Sequence, residues 1–287
     1  MKQYRIITDS CCDFPQEMIS RMDIDIVPLT LLFRGNSVDD FTDESLKQMY
    51  EALRGGETAT TAAANPQKWE IAMERALSQG QDVLVLAFSS GLSTTYQSAV
   101  IAAQELSEKY PERTIRVVDT LCASLGQGLL VWYACQKRDA GMSLEDLTQW
   151  CQEKKMQLCH WFTVDDLMYL KRGGRVSAAT AMLGTMLNIK PVMHMDNQGH
   201  LTKVTTARGR KAAIRALAAQ VGTLGLPGEN ETVFISHGDC LEDACYLESI
   251  LKEQYGVKEA VIGYVGAVIG SHAGPGTLAL FFLGEHR

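Results

Sequence analysis

An unbroken apolar run at 83–88 passes directly into a polar stretch, Ser89 to Thr95, built of hydroxyl residues around Gly91. A continuous Val and Leu run of this length predicts a parallel strand buried on both faces. Past the polar stretch, Tyr96, Ala99, Ala103 and Leu106 recur at helical spacing, so the segment reads strand, turn, helix. Open α/β sheets hold ligands in the crevice beyond the carboxyl ends of such strands, facing the unpaired amides of the next helix. Ser93 is expected at the N-cap of that helix.

The same pattern occurs twice more. Residues 4–8 predict a strand closed by Asp9 and Ser10, and residues 114–118 one closed by Asp119 and Thr120. Three apolar strands ending in small polar turns, with helices between them, imply a parallel sheet whose ligand face lies at those ends. Pro15 opens a helix to about Arg21, and 25–33 predicts a further strand in which Pro28 marks an edge or a bulge. Thr42 caps a helix stopped by Gly55 and Gly56, and 57–64 reads as a loop. Asn65 and Pro66 start a helix carrying Trp69, Met73, Ala76 and Leu77. Another helix runs through Leu129, Leu130, Tyr133 and Ala134 to about Gly141, and Ser143 with Asp146 begins the next as a loose capping box.

The pattern changes near Met156. Strands are expected at 159–164, 232–236, 260–264 and 278–283, helices at 177–187, 208–221 and 241–255, and a hairpin at 189–205 around Asp196-Asn197-Gln198-Gly199. The stretch 266–276 reads as a glycine-rich loop. At 287 residues the chain exceeds a typical single core. The expectation is an α/β protein of two domains: 1–156 with a parallel sheet, and 157–287 as α+β with a mixed sheet. The ligand cleft is expected between them.

A net charge of -7 without any Lys/Arg cluster argues against a nucleic-acid footprint. No apolar run approaches the ~20 residues of a membrane span, and the first strand begins with no signal-peptide core before it. A cytoplasmic location is therefore expected. Of the eight cysteines Cys11 and Cys12 are adjacent and the other six scattered, without any C-x-x-C pair, which predicts buried, reduced thiols and no metal site.

Several side chains invite chemistry. Ser93 serves equally as a cap or as an anion ligand, since a capping hydroxyl sits beside unpaired amides. His272 lies among Gly270, Gly274 and Gly276, which let the backbone approach a ligand, and its imidazole can donate to a carboxylate. Thr61 stands in the loop before Asn65. Lys171, Arg172 and Arg175 around Gly173-Gly174 read as a charged turn able to meet phosphate or an acidic partner. Met182, Met186, Met193 and Met195 suit a core, or the lining of a site for a flexible apolar ligand. A dinucleotide fingerprint and a phosphate-loop lysine are both absent. A serine-hydrolase elbow would need glycine where Thr95 stands.

Six stretches together resemble the DegV family of bacterial fatty-acid-binding proteins, which includes the acyl-binding subunit of fatty-acid kinase. They are ITDSCCDFP (7–15), TAAANP (61–66), SSGLSTTYQSA (89–99), VVDTLCASLGQG (117–128), YLKRGGRVS (169–177) and IGSHAGPG (269–276). The resemblance implies two α/β domains enclosing one long-chain fatty acid, with no other cofactor. Thr61, Ser93 and His272 match the carboxylate-binding positions, and Ser10, Ala62, Thr94 and Gly270 lie beside them in the matched motifs. Arg175 and Arg208 match basic residues near the pocket mouth that face the kinase catalytic subunit. Three departures stand out: Thr61 is followed by Ala62 where a serine is frequent, Thr94 replaces a usual glycine, and Ser271 a common threonine.

The resulting expectation is a non-catalytic carrier that presents its acid for phosphorylation to an acyl phosphate. About 0.8 kcal/mol per buried CH₂ gives a sixteen-carbon tail roughly 10 kcal/mol before the costs of binding. The tail would then dominate affinity and the head group orientation. The rival expectations are a serine hydrolase using Ser93, His272 and Asp9 or Asp119, and a regulatory interaction protein without a ligand.

Overall fold

The computed structural model describes residues 4–39, 41–177 and 188–287. The first half runs β1 (Tyr4–Asp9), a short 3-10 turn (Ser10–Cys12), α1 (Gln16–Met22), β2 (Asp25–Val27), β3 (Thr30–Phe33), β4 (Asn36–Val38) and α2 (Asp43–Arg54). It continues through β5 (Thr60–Ala62), α3 (Pro66–Leu77), β6 (Asp82–Ala87), α4 (Thr95–Lys109), β7 (Ile115–Asp119), α5 (Leu125–Asp139) and α6 (Leu144–Lys154). The second half contains β8 (Leu158–Thr163), α7 (Met168–Arg172), β9 (Ile189–Met195), β10 (Leu201–Arg208) and α8 (Arg210–Leu224). It ends with β11 (Thr232–His237), α9 (Leu241–Tyr255), β12 (Glu259–Tyr264), α10 (Ala267–Ala273) and β13 (Leu278–Leu283).

The apolar runs form a four-stranded parallel sheet in the order β2-β1-β6-β7. Because side chains alternate across a strand, one continuous run supplies both faces. Ile7, Val83, Val85 and Ala87 pack against Trp69 and Met73 of α3 and Ala99 and Leu106 of α4. Tyr4, Ile6, Leu84 and Leu86 face α5 and α6. A second sheet of six strands, β10-β9-β8-β13-β11-β12, is parallel only between β11 and β12. One face of it meets α5 through Phe162, Phe234 and Phe281, while α8 and α9 cover the other. Helix α5 thus lies between the sheets, and its Gly126 packs so closely that a Cβ there would strike His160 and Phe281.

Four segments depart from the sequence expectation. The strand expected at 25–33 is two strands: β2 pairs with β1, but Pro28 has no N–H to continue the ladder. The chain then turns away, and β3 pairs with β4 and β5 in a small antiparallel sheet capped by α2. The loop expected at 57–64 supplies β5, and the expected glycine-rich loop at 266–276 contains α10. The helix expected to start at Arg208 starts two residues later, because β10 extends through Arg208. The helix expected over 177–187 lies almost wholly outside the described residues, as do Met182 and Met186. Among the described residues no helix is long and apolar enough to cross a membrane.

Candidate functional site

The turn from β6 into α4 is held from three sides. Ser89 accepts the amides of Leu92 and Ser93 on its carbonyl, both at 3.1 Å. Its hydroxyl donates to the Gly199 carbonyl at 2.9 Å. Asp119 accepts the amides of Ser90 (3.2 Å) and Leu121 (3.0 Å) through one oxygen. The tip of the β9–β10 hairpin presses on the turn, so a Cβ on Gly91 would run into the carbonyls of Gln198 and Gly199. Ser93 is not the N-cap: that position falls to Thr94, which makes no side-chain cap bond. The Ser93 hydroxyl accepts the Thr95 amide at 3.2 Å and bonds the Thr95 hydroxyl at 2.8 Å. It sits two residues before the helix start, beside the first amides, which have no intrahelical partner.

Two further elements bring their residues to this turn. Strand β5 carries Thr61, which pairs with Leu31 of β3. The last turn of α10 carries His272, whose Nε2 lies 2.8 Å from the Thr61 hydroxyl. The imidazole packs against Gly173 so tightly that a Cβ there would strike it. Burial, then the Arg175 guanidinium, lower the His272 pKa to about 4, so the ring is neutral near pH 7. With the proton on Nε2, the imidazole donates to Thr61 and leaves the threonine O–H free to donate to an anion. Arg175 ties the ensemble together: Nε donates to the Leu92 carbonyl at 3.2 Å and Nη1 to the carbonyl of Gly173.

These groups open onto a cavity of about 480 Å³. Thr61, Ser93, Thr94, Arg175 and His272 all line it, and most of the remaining wall is apolar. Leu29 and Phe88 come from the first half of the chain, Phe162, Ala279 and Phe281 from the second sheet, Met195 and Leu201 from the hairpin, and Val268 and Ile269 from α10. A concave apolar chamber with a few convergent polar groups is the usual form of a small-molecule site. A second cavity of about 350 Å³ shares Thr61, Arg175 and His272, and its remaining wall mixes polar groups (Glu57, Thr58, Thr60, Arg172 and Ser271) with Leu53, Ala59 and Tyr169. The Arg172 guanidinium lies 4.5 Å from the centroid of the Tyr169 ring.

The remaining sequence candidates are placed elsewhere. Ser10 lines neither cavity, and its hydroxyl accepts the Leu29 amide at 2.9 Å. Ala62 is exposed on β5, and Gly270 packs where a Cβ would strike the Tyr50 hydroxyl. Arg208, expected near the pocket mouth, is exposed at the end of β10 and lines neither cavity. The hydrolase relay is not assembled: Ser93 bonds Thr95, His272 bonds Thr61, and Asp119 is engaged by two amides. Of the thiols, six are buried, whereas Cys240 is half-buried and Cys245 exposed. Among the described residues no three His, Cys, Asp or Glu side chains group to hold a metal.

Ser124, His160 and Thr277 also line the chamber, and the residue patterns did not single them out. His160 offered a signal, as an imidazole inside an apolar strand. Its Nε2 accepts the Ala123 amide at 3.3 Å, and burial holds its pKa well below the ordinary value. Ser124 carried none, because its left-handed backbone (φ 54°) shows only in three dimensions.

The sequence profile described as "Uncharacterised protein, DegV family" matches residues 3–285. The chain belongs to the DegV family. A DegV domain-containing protein of Clostridium perfringens is 43% identical over 289 residues, covering 100% of this chain and 99% of its own. A DegV family protein of Thermus thermophilus, described as fatty-acid binding, superposes with a TM-score of 0.88 at 32% identity, covering 98% of this chain and 99% of its own. A DegV family protein of Ruminococcus gnavus, solved with vaccenic acid, superposes at 0.86 with 26% identity, covering 98% and 100%. The fold of a parallel-sheet α/β region followed by a mixed sheet is therefore shared with the two solved DegV proteins.

Proposed function

We propose that this protein is a fatty-acid carrier, holding a long-chain acid with its carboxylate at Thr61, Ser93, Thr94 and His272 and its tail in the apolar chamber. The observation that carries this reading is the cavity of about 480 Å³ in which hydroxyls, a neutral imidazole and a guanidinium gather against a mostly greasy wall. Solved DegV relatives described as binding fatty acids support it. Head-group hydrogen bonds of about 1.5–3 kcal/mol each orient the acid, and the tail supplies most of the affinity.

In this reading the chain divides at 156/157 into two domains with the ligand between them, and acts in the cytoplasm without catalysing a reaction itself. The bound acid is offered to a fatty-acid kinase, which phosphorylates the carboxylate. The second, polar cavity with Arg172 and Arg175 on the far side of Thr61 and His272 supports a role for that face in meeting such a partner. The test is mass spectrometry of lipid extracted from denatured, purified protein. A stoichiometric fatty acid is expected; an empty extract together with no binding of added palmitate or oleate overturns the reading.

A further inference from the structure

Neither acid of the ITDSCCDFP stretch lines a cavity, yet both reach the elements that build the site. Asp9 ends β1 and is fully buried. One of its oxygens accepts the Cys11 amide at 3.0 Å; the other accepts the Phe88 amide at 2.7 Å. Phe88 is the last residue before the turn that carries Ser93 and Thr94. Four residues beyond Asp9, Asp13 adopts a left-handed backbone (φ 52°) that aims its side chain the other way. Its carboxylate accepts the Ser124 hydroxyl at 2.5 Å and the amide of Gly266, the N-cap of α10. The contact at Gly266 leaves no room for a Cβ. Six residues along that helix stands His272, roughly 9 Å away at 1.5 Å per residue.

We propose that Asp9 and Asp13 are positioning residues of the head-group site: Asp9 sets the turn that carries Ser93, and Asp13 sets the helix that carries His272. The spacing between the two halves of the site is thereby decided at the two ends of the 3-10 turn, by residues that do not themselves line the chamber. This inference rests on the fatty-acid reading for its binding test. An apolar side chain at either position would leave these buried donors unpaired, so a carboxyl stands at each despite the cost of burying it without a cationic partner. Burial raises Asp9 to about 6 and Asp13 to about 7, against the pull of the donors they engage. Asp9 faces Gln127 besides its two amides; Asp13 faces Ser124, Gly266 and Asp9.

The test compares palmitate with 1-hexadecanol, which has the same tail and no carboxylate. In Asp9→Asn an NH₂ must point at one of two amide donors, so the turn moves. Palmitate affinity should fall about tenfold, while hexadecanol binds as to the wild type. Asp13→Ala should do the same. Asp13→Asn should restore binding, because an amide can accept from Gly266 and donate to Ser124. Amide and imidazole NMR of the unliganded protein gives a second readout. Asp9→Asn should move Ser93 and Thr94 but leave His272, and Asp13→Ala the reverse. Equal loss of both ligands, unchanged palmitate affinity, or resonance shifts spread over the whole site would overturn the inference. A wild type that binds neither ligand defeats the fatty-acid reading instead, and the NMR pattern then decides the positioning claim alone.

Discussion

The cavities of about 480 and 350 Å³ meet at Thr61, Arg175 and His272, and the rest of their walls differ in kind. One is closed by Phe, Leu, Val and Met side chains from both halves of the chain. The other is a mixed wall in which hydroxyls, a second guanidinium and the Glu57 carboxylate stand among Leu53, Ala59 and Tyr169. The same three side chains can therefore grip an anion from one direction and be approached by charge from the other. Hydrophobic burial scales with contact area, so the first cavity is suited to hold a chain tightly. Exposed charge acts through screened, reversible attraction, which suits the second to brief contact.

Blocking the greasy side should have the largest effect. Ala279→Phe puts a ring into the chamber from β13; displacing about four methylenes costs about 3 kcal/mol, roughly a hundredfold in palmitate affinity. Calorimetric titration measures it, and unchanged affinity would mean the tail lies elsewhere. Next comes the shared histidine. Its folded-state pKa of about 4 lies below the ordinary 6.5, so the unfolded chain binds the extra proton between those values. Its contribution is present above pH 6.5 and is lost as pH falls towards 4, with a ceiling of about 3 kcal/mol. Urea melts of wild type and His272→Gln should show the wild type losing ground across that window, and a constant gap would count against a buried neutral ring. The smallest effect sharpens the contrast: Arg172→Ala, which touches only the polar cavity, should change palmitate affinity less than about twofold. If binding collapses, the two cavities are not separate in function.

Much of this was legible in residue order. The parallel sheet and the polar turn at 89–95 could be read because the apolar run ends in hydroxyls, and the family stretches pointed to Thr61, Ser93 and His272, which line one cavity. Their meeting was not legible from pattern alone. The three lie on a strand, a turn and a helix that only the assembled sheets bring together, and no local spacing encodes a bond between Thr61 and His272. The small sheet was missed because β3 keeps the apolar character of β2, and only the missing amide of Pro28 marks the break. Helix α10 was missed because Gly266, Gly270, Gly274 and Gly276 read as loop. At Gly266 and Gly270 the cause is crowding by Asp13 and Tyr50, not freedom of the backbone.

Helix α5 belongs to the hydrophobic core of both large sheets at once. A molecule joined that way cannot open like a book, because parting its covers would tear the spine and wet Leu125, Leu129 and Leu130. On the carrier reading, an acid would therefore enter past the smaller pieces that border the cavities, β5, α7 and α10, and not by a parting of the two large sheets. Cut at 156/157, each half would bare the apolar face it now presents to the other.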